Sequence, residues 1–110
     1  MYKNHKMSVT GKKQADGAQT LTNSGFEYLP AHLITVEVSA QPSAGTLAVQ
    51  YLPDGATEYV TVTGSPIDLT ALNKAASFRL DGVYASAFKF TPASLDSDKT
   101  FNVIVTSNER

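Results

Sequence analysis

The side chains that could do chemistry in this 110-residue chain are few and widely spaced. The two histidines, His5 and His32, stand 27 positions apart, which is not the spacing of a metal-ligand motif. His32 opens an alternating run of residues, and this position predicts a partly exposed histidine at the edge of a strand. Cysteine is absent, which excludes a disulfide framework, a thiolate metal site and a cysteine nucleophile.

The acidic residues form no catalytic or metal-binding pattern. Asp96 and Asp98 begin like a calcium loop, but Lys99 follows, and the glycine and distant glutamate of the helix–loop–helix calcium motif are missing. Glycoside hydrolysis needs two carboxyl groups that face one cleft, and Glu37 and Glu58 lie on short predicted strands or turns. Hydrolase, dinucleotide-binding and P-loop motifs are absent too, so we expect neither enzymatic activity nor a cofactor.

Three tyrosines are the remaining candidates for binding a small molecule. Tyr51, Tyr59 and Tyr84 lie on predicted strands, where exposed rings could stack on sugars. Strand tyrosines more often belong to the core or its rim, and the chain has no tryptophan. A carbohydrate-binding or host-surface-binding module is therefore an alternative rather than the main interpretation.

Charge is distributed unevenly along the chain. Residues 1–25 hold four lysines and one acid, a balance of +3, whereas residues 26–110 hold five basic groups and nine acids, a balance of −4. The basic segment could contact an acidic protein surface. Direct binding of nucleic acid is not expected, because the rest of the chain is acidic and no aromatic side chains alternate with the lysines. No apolar run reaches the roughly 18–20 residues of a membrane span, so we expect no membrane partner.

The same segment is poor in large apolar side chains. Residues 1–25 contain Tyr2, Met7, Val9 and Leu21, too few to build a core, and several glycines that weaken a helix. The composition predicts an extended N-terminal arm at residues 1–25 that becomes ordered on a partner, followed by a folded body at residues 26–110.

The body has the period-two alternation of β-strands. Strands are predicted at 32–39, 46–52, 58–63, 77–81, 83–90 and 100–106. Turn residues separate them, including Pro53-Asp54-Gly55, a two-residue hairpin signal at Asp81-Gly82, and Thr91-Pro92, where proline is expected to end a strand. Residues 68–76 fit either a short helical segment capped by Asp68 or Thr70, or a loop. Leu95 is expected to pack under a turn.

The spacing of roughly one strand per 8–14 residues favours two packed sheets over an α/β unit. The sequence therefore predicts an all-β fold: a small antiparallel β-sandwich, either jelly-roll or immunoglobulin-like, with an extended N-terminal arm.

Several segments of the body resemble small virion proteins of tailed bacteriophages. These segments are GTLAV at 45–49, PDGA at 53–56, IDLT at 67–70, FKFTP at 88–92 and DKTFNVIVT at 98–106. More narrowly, the body is similar to head decoration proteins of short-tailed phages of the epsilon15 kind. That resemblance implies an all-β capsid cement protein without catalytic residues, located on the outer capsid surface of the virion after synthesis in the host cytoplasm.

The resemblance also implies partners. The major capsid protein is the expected one, because such proteins bridge neighbouring capsid subunits and stabilise the shell. Self-association as a dimer or trimer at a capsid symmetry axis is expected as well. A tail, fibre or connector subunit is the alternative structural role. In the predicted arm, the candidate capsid-binding residues are Tyr2, Lys3, His5, Lys6, Met7, Val9, Lys12, Lys13 and Leu21.

Overall fold

The fold is known from a computed structural model that describes residues 4–22, 29–72 and 74–108. Strands make up most of these residues, and two short 3₁₀ segments occur at Gln14–Asp16 and Leu69–Ala71. The strands are β1 (Asn4–Lys12), β2 (Gln19–Thr22), β3 (Ala31–Val38), β4 (Thr46–Pro53), β5 (Val60–Thr61), β6 (Ile67–Asp68), β7 (Ala75–Asp81), β8 (Ala85–Ala93) and β9 (Phe101–Asn108).

The strands form two antiparallel sheets that pack face to face. The front sheet has the order β1-β9-β3-β7, and the back sheet has the order β2-β8-β4-β5, with β6 also paired to β4. The predicted all-β antiparallel sandwich is therefore confirmed.

The pairing follows a simple rule along the chain. β1 pairs with β9, β2 with β8, β3 with β7, and β4 with β5, as in one long hairpin whose tip lies between β4 and β5. Rolling this hairpin up brings β9 beside β3 and β8 beside β4. The result is a jelly roll, which decides between the two predicted types of sandwich.

The core lies between the sheets and follows the predicted alternation. Inward side chains of the central strands are almost fully buried, and burying each of them stabilises the fold by roughly 1.5–3 kcal/mol. These residues are Ile34, Val36, Val38, Leu47, Val49, Phe88, Phe90, Phe101, Val103 and Val105. Leu95, expected under a turn, is buried as well.

The segment predicted as a separate arm contributes strands to both sheets. β1 pairs with β9 from Asn4 opposite Asn108 to Val9 opposite Val103, and β2 pairs with β8. An edge strand needs only every second side chain to be apolar, so Met7 and Val9 are enough to hold β1 on the core. The described residues of 4–22 thus belong to the sandwich instead of extending from it.

The connection between β1 and β2 is tied to the opposite end of the chain. The Gln14 side chain donates to the Pro92 carbonyl at 3.1 Å and accepts from the Leu95 amide at 2.9 Å. The Asp16 carboxylate accepts from the Lys13 amide at 2.7 Å. The turn has no buried residues. These hydrogen bonds, rather than apolar contacts, therefore hold it in place.

Two turn predictions differ from the structure. Asp81-Gly82 is not a hairpin, because β7 belongs to the front sheet and β8 to the back sheet; the chain crosses between sheets here, with Gly82 at a φ of 76°. β8 also continues through Pro92, which lies opposite Leu47. Beyond Phe90, β2 no longer flanks β8, so the missing N–H of Pro92 falls where the strand has a neighbour on one side only.

The ambiguous stretch after β6 is a single 3₁₀ turn. The Asp68 carboxylate accepts from the Thr70 amide at 3.0 Å and from the Thr70 hydroxyl at 2.6 Å, so Asp68 is the cap. Both bonds favour the ionised carboxylate and lower the pKa of Asp68. β7 begins at Ala75, soon after this turn.

Candidate binding sites

The predicted capsid-binding residues divide into groups according to the alternation of β1. Tyr2 and Lys3 lie outside the described residues. Met7, Val9 and Leu21 point inward and pack against the core, so their apolar side chains stabilise the sandwich. His5 has the same inward register and lies opposite Ser107 of β9. The described members of this set therefore do not form one continuous surface.

The lysines of this segment are the part that faces solvent. Lys6 and Lys13 are exposed, and Lys12 is half-buried. Lys6 points outward from the front sheet, and the register places it in a row with Thr106, Leu33 and Arg79. Lys6 therefore lies on the outward face of the β1 edge strand, Lys12 is the last residue of that strand, and Lys13 directly follows it.

The outward face of the front sheet has an apolar centre and a polar rim. Leu33 on β3 is 36% exposed, and Ile104 on the adjacent β9 is half-buried. Arg79 at the β7 edge forms an ion pair with Asp81 at 3.2 Å. We refer to this surface, defined by Lys6, Leu33, Arg79, Ile104 and Thr106, as the front face.

His32 is buried, in contrast to the partly exposed edge position that the sequence predicts. β3 lies between β9 and β7, so its inward side chains have neighbours on both sides, and His32 and Ser107 are both 0% exposed. The His32 Nε2 atom lies 2.8 Å from the Val83 carbonyl oxygen, and Nδ1 lies 2.7 Å from the Ser107 hydroxyl. Because a carbonyl only accepts, Nε2 carries the hydrogen, and neutral His32 accepts from Ser107 at Nδ1.

Burial keeps this imidazole neutral. Desolvation lowers the pKa of His32 below its usual value of 6.5, against the smaller opposing effects of the Val83 carbonyl and the Asp81 charge. A histidine–serine pair could in principle activate a nucleophile, but full burial of both side chains excludes a substrate from them. Within the described ranges, no group of three or more histidines and acids could hold a metal ion, and no helix is long and apolar enough to cross a membrane.

An open cleft of about 520 Å³ lies at the end of the sandwich where β4 ends and β8 begins. The Tyr84 side chain at its rim is 53% exposed, although large aromatic side chains are usually buried. The cleft is lined by Tyr51, Pro53, Asp54, Gly82, Val83 and Tyr84.

One wall of this cleft, the crossover at residues 82–84, is held by hydrogen bonds to two other segments, one at residues 30–32 and one at Asp54. The Gly82 and Val83 amides donate to the Pro30 carbonyl at 2.9 and 3.3 Å, and the Asp54 amide donates to the Tyr84 carbonyl at 2.8 Å. The His32 Nε2–H donates to the Val83 carbonyl at 2.8 Å. The crossover is therefore fixed in shape even though it lies outside regular secondary structure.

The structure separates the three tyrosines that the sequence groups together. Tyr51 and Tyr84 share the cleft, whereas the Tyr59 ring lies against Lys89, with Nζ 5.1 Å from the ring centroid. Asp54 also lines the cleft, although its sequence context predicts only a turn. The Pro-Asp-Gly signal locates that turn, but no local pattern reveals that the β7–β8 crossover packs beside it.

Comparison with known proteins identifies the fold. No family model and no curated protein matches the chain. Among solved structures, the SPBc2 prophage-derived protein YomS matches with a TM-score of 0.51 at 14% identity, over 94% of this chain and 95% of YomS. A family 29 carbohydrate-binding module matches with a TM-score of 0.51 at 13% identity, over 94% of this chain and 68% of the module.

Pseudomonas aeruginosa AlgX also matches, with a TM-score of 0.51 at 13% identity over 94% of this chain. This chain spans about a quarter, 25%, of the AlgX chain. At such identities the likeness shows a common β-sandwich fold, shared by a prophage-derived protein and by a carbohydrate-binding module.

Proposed function

We propose that this protein is a virion structural protein of a tailed phage, which decorates the outer capsid surface and bridges neighbouring major capsid subunits. The observation that carries the proposal is the front face: a sheet surface with Leu33 and Ile104 at its centre and the exposed Lys6 on its β1 edge strand. Such a surface fits a protein partner, because contact with apolar groups supplies affinity and charge supplies orientation.

Charge supports the choice of partner. Lys6 on the front face and Lys13, which directly follows β1, are both exposed, and neither takes part in an ion pair among the described residues. An acidic patch on the outer capsid would complement them. Jelly rolls are common in viral structural proteins, and YomS provides a prophage-derived example of the same overall fold.

The assembled shell explains how weak contacts can be sufficient. A protein that binds across two subunits binds only the assembled lattice and stabilises that state by mass action. Many copies on a symmetric lattice need only modest affinity each. A dimer or trimer at a symmetry axis would follow from the same symmetry.

The experiment measures decoration of phage heads by a charge-reversed protein. In the double variant Lys6→Glu/Lys13→Glu, we expect at least about a tenfold loss of affinity for heads that lack the protein, because two attractive contacts become repulsive. Lys74→Glu is the matched control. Lys74 is also an exposed lysine, but it directly precedes β7, the edge strand of the front sheet that lies farthest from β1. Co-sedimentation with purified heads measures the bound fraction.

Equal binding of the double variant and the wild-type protein would overturn the assignment of the front face. Truncation of residues 4–12 is not a suitable test, because it removes β1 from the sandwich and changes stability together with binding.

The alternative role as a tail, fibre or connector subunit predicts a different stoichiometry. Quantitative mass spectrometry of purified virions should find hundreds of copies for a decoration protein, whereas about six or twelve copies would indicate a tail or connector component.

A further inference from the structure

We propose that the cleft lined by Tyr51, Asp54 and Tyr84 binds a neutral, hydroxyl-rich sugar. This site goes beyond the proposed structural role, because it lies at the end of the sandwich and contains none of the residues that define the front face. A virion protein carrying it would attach particles to a glycan surface in addition to its contacts with the capsid.

The lining of the cleft combines an exposed aromatic ring with a carboxylate. The Tyr84 ring is 53% exposed and offers an apolar face on which the C–H groups of a pyranose can stack. The Asp54 carboxylate also lines the cleft, and it has no hydrogen-bond or ion-pair partner in the described part of the chain. A free carboxylate beside an aromatic face suits a ligand with several hydroxyl donors.

The cleft contains one acidic side chain and no basic one. None of the six lining residues is basic, so nothing in the cleft would compensate the negative charge of an anionic sugar beside Asp54. The electrostatics therefore favour neutral sugars over uronic or sialic acids.

The cleft has room for a sugar, and hydrogen bonds fix one of its walls. The volume of about 520 Å³ lies within the range typical of small-molecule sites. The wall formed by residues 82–84 is held by the Pro30 carbonyl, the Asp54 amide and the His32 imidazole. A wall fixed in this way loses little conformational entropy when a ligand binds.

The test is affinity electrophoresis of the full chain in native gels that contain dextran, mannan or galactan, with polygalacturonate as the anionic comparison. At least one neutral polysaccharide should retard the wild-type protein. Tyr84→Ala should weaken that retardation by about tenfold or more, and Asp54→Ala should weaken it as well. Tyr59→Ala is the matched control, because Tyr59 lies outside the cleft.

Absence of retardation by all three neutral polymers, retardation by polygalacturonate alone, or unchanged retardation of Tyr84→Ala would each overturn the proposal. A second measurement covers the case in which a variant fails to fold. Amide chemical shifts of the wild-type protein, titrated with oligosaccharides of the retarding polymer, should change at Asp54, Gly82 and Tyr84. Changes confined to other surfaces would contradict the site. Neither outcome affects the head-binding test, which concerns the lysines.

Discussion

The Nδ1 atom of His32 lies 2.7 Å from the hydroxyl oxygen of Ser107, and both side chains are fully buried. The two residues are direct partners across the β3–β9 pairing, so this bond joins two central strands of the front sheet. The other ring nitrogen donates to Val83 in the crossover that walls the cleft. One imidazole thus links the pairing of the front sheet to the shape of the cleft.

Stability should fall in mildly acidic solution because of His32. Since burial lowers the pKa of His32, the unfolded chain takes up a proton at a higher pH than the folded protein does. The stabilising contribution of neutral His32 is fully present above pH 6.5, the pKa of His32 in the unfolded chain. It is lost as the pH falls from there towards the lower pKa that His32 has in the folded protein. In this window the free energy of unfolding should decrease by up to about 1.4 kcal/mol per pH unit.

Urea unfolding at about pH 7.5, 6.5 and 5.5 measures this slope. His32→Gln should flatten it, because glutamine does not titrate. His5→Gln removes the other histidine, which is only half-buried, and should leave most of the slope in place. An identical slope in His32→Gln and the wild-type protein would show that another group causes the pH dependence.

Ser107→Ala should destabilise the protein by about 1–3 kcal/mol, because it leaves the buried Nδ1 acceptor of His32 without a donor. Ser77→Ala is the matched control: Ser77 also bonds a side chain across the front sheet, the Thr35 hydroxyl at 2.9 Å, but at an exposed position. Its cost should stay below about 1 kcal/mol. Thermal denaturation at neutral pH compares the two, and equal costs would contradict the role assigned to burial.

Gly45→Ala should lower the free energy of unfolding more than Gly55→Ala does. Gly45 has a φ of 133°, and an added Cβ would lie 2.9 Å from the Leu95 Cα atom. Backbone strain and overpacking together should cost about 2–4 kcal/mol. Gly55→Ala shares the positive φ, at 84°, but meets nothing within 4 Å, so about 1–2 kcal/mol is expected. Denaturant midpoints of the two variants check the difference.

Met7→Ala and Val9→Ala should each destabilise the protein by about 1–3 kcal/mol, because both side chains pack against the core. Lys6→Ala, on the exposed face of the same strand, should change stability by less than about 0.5 kcal/mol. If β1 were a detached arm, all three variants would melt like the wild-type protein. Circular dichroism melting curves distinguish the two cases.

Alternation predicts strands well where apolar and polar residues alternate without interruption. The predicted strand at 32–39 corresponds to β3 at Ala31–Val38, and the one at 46–52 corresponds to β4 at Thr46–Pro53. Their inward residues, such as Ile34 and Val49, are buried as expected. The order of the strands could not be predicted, because it depends on pairs such as His5 with Ser107, which no local pattern connects.

Other features could not be predicted because they depend on tertiary context. Alternation places Tyr84 on the face of Phe88, but the β4–β8 pairing shifts register between Leu52 opposite Ala87 and Pro53 opposite Ala85. This irregularity breaks the period-two pattern, and Tyr84 is exposed while Phe88 is buried. The cleft likewise needs two turns, distant in sequence, to meet.

The position of β9 has a consequence for synthesis of the chain. β9 lies between β1 and β3 in the front sheet, yet a ribosome makes it after all the other strands described. Until residues 101–108 emerge, β1 has no hydrogen-bonding neighbour in its sheet, and the inner face of β3 is incompletely covered. Long-range pairing of this kind folds slowly and exposes apolar surface in the meantime. The nascent chain therefore has to stay soluble as an incomplete sandwich until translation reaches β9, and chaperone binding during that interval would protect it.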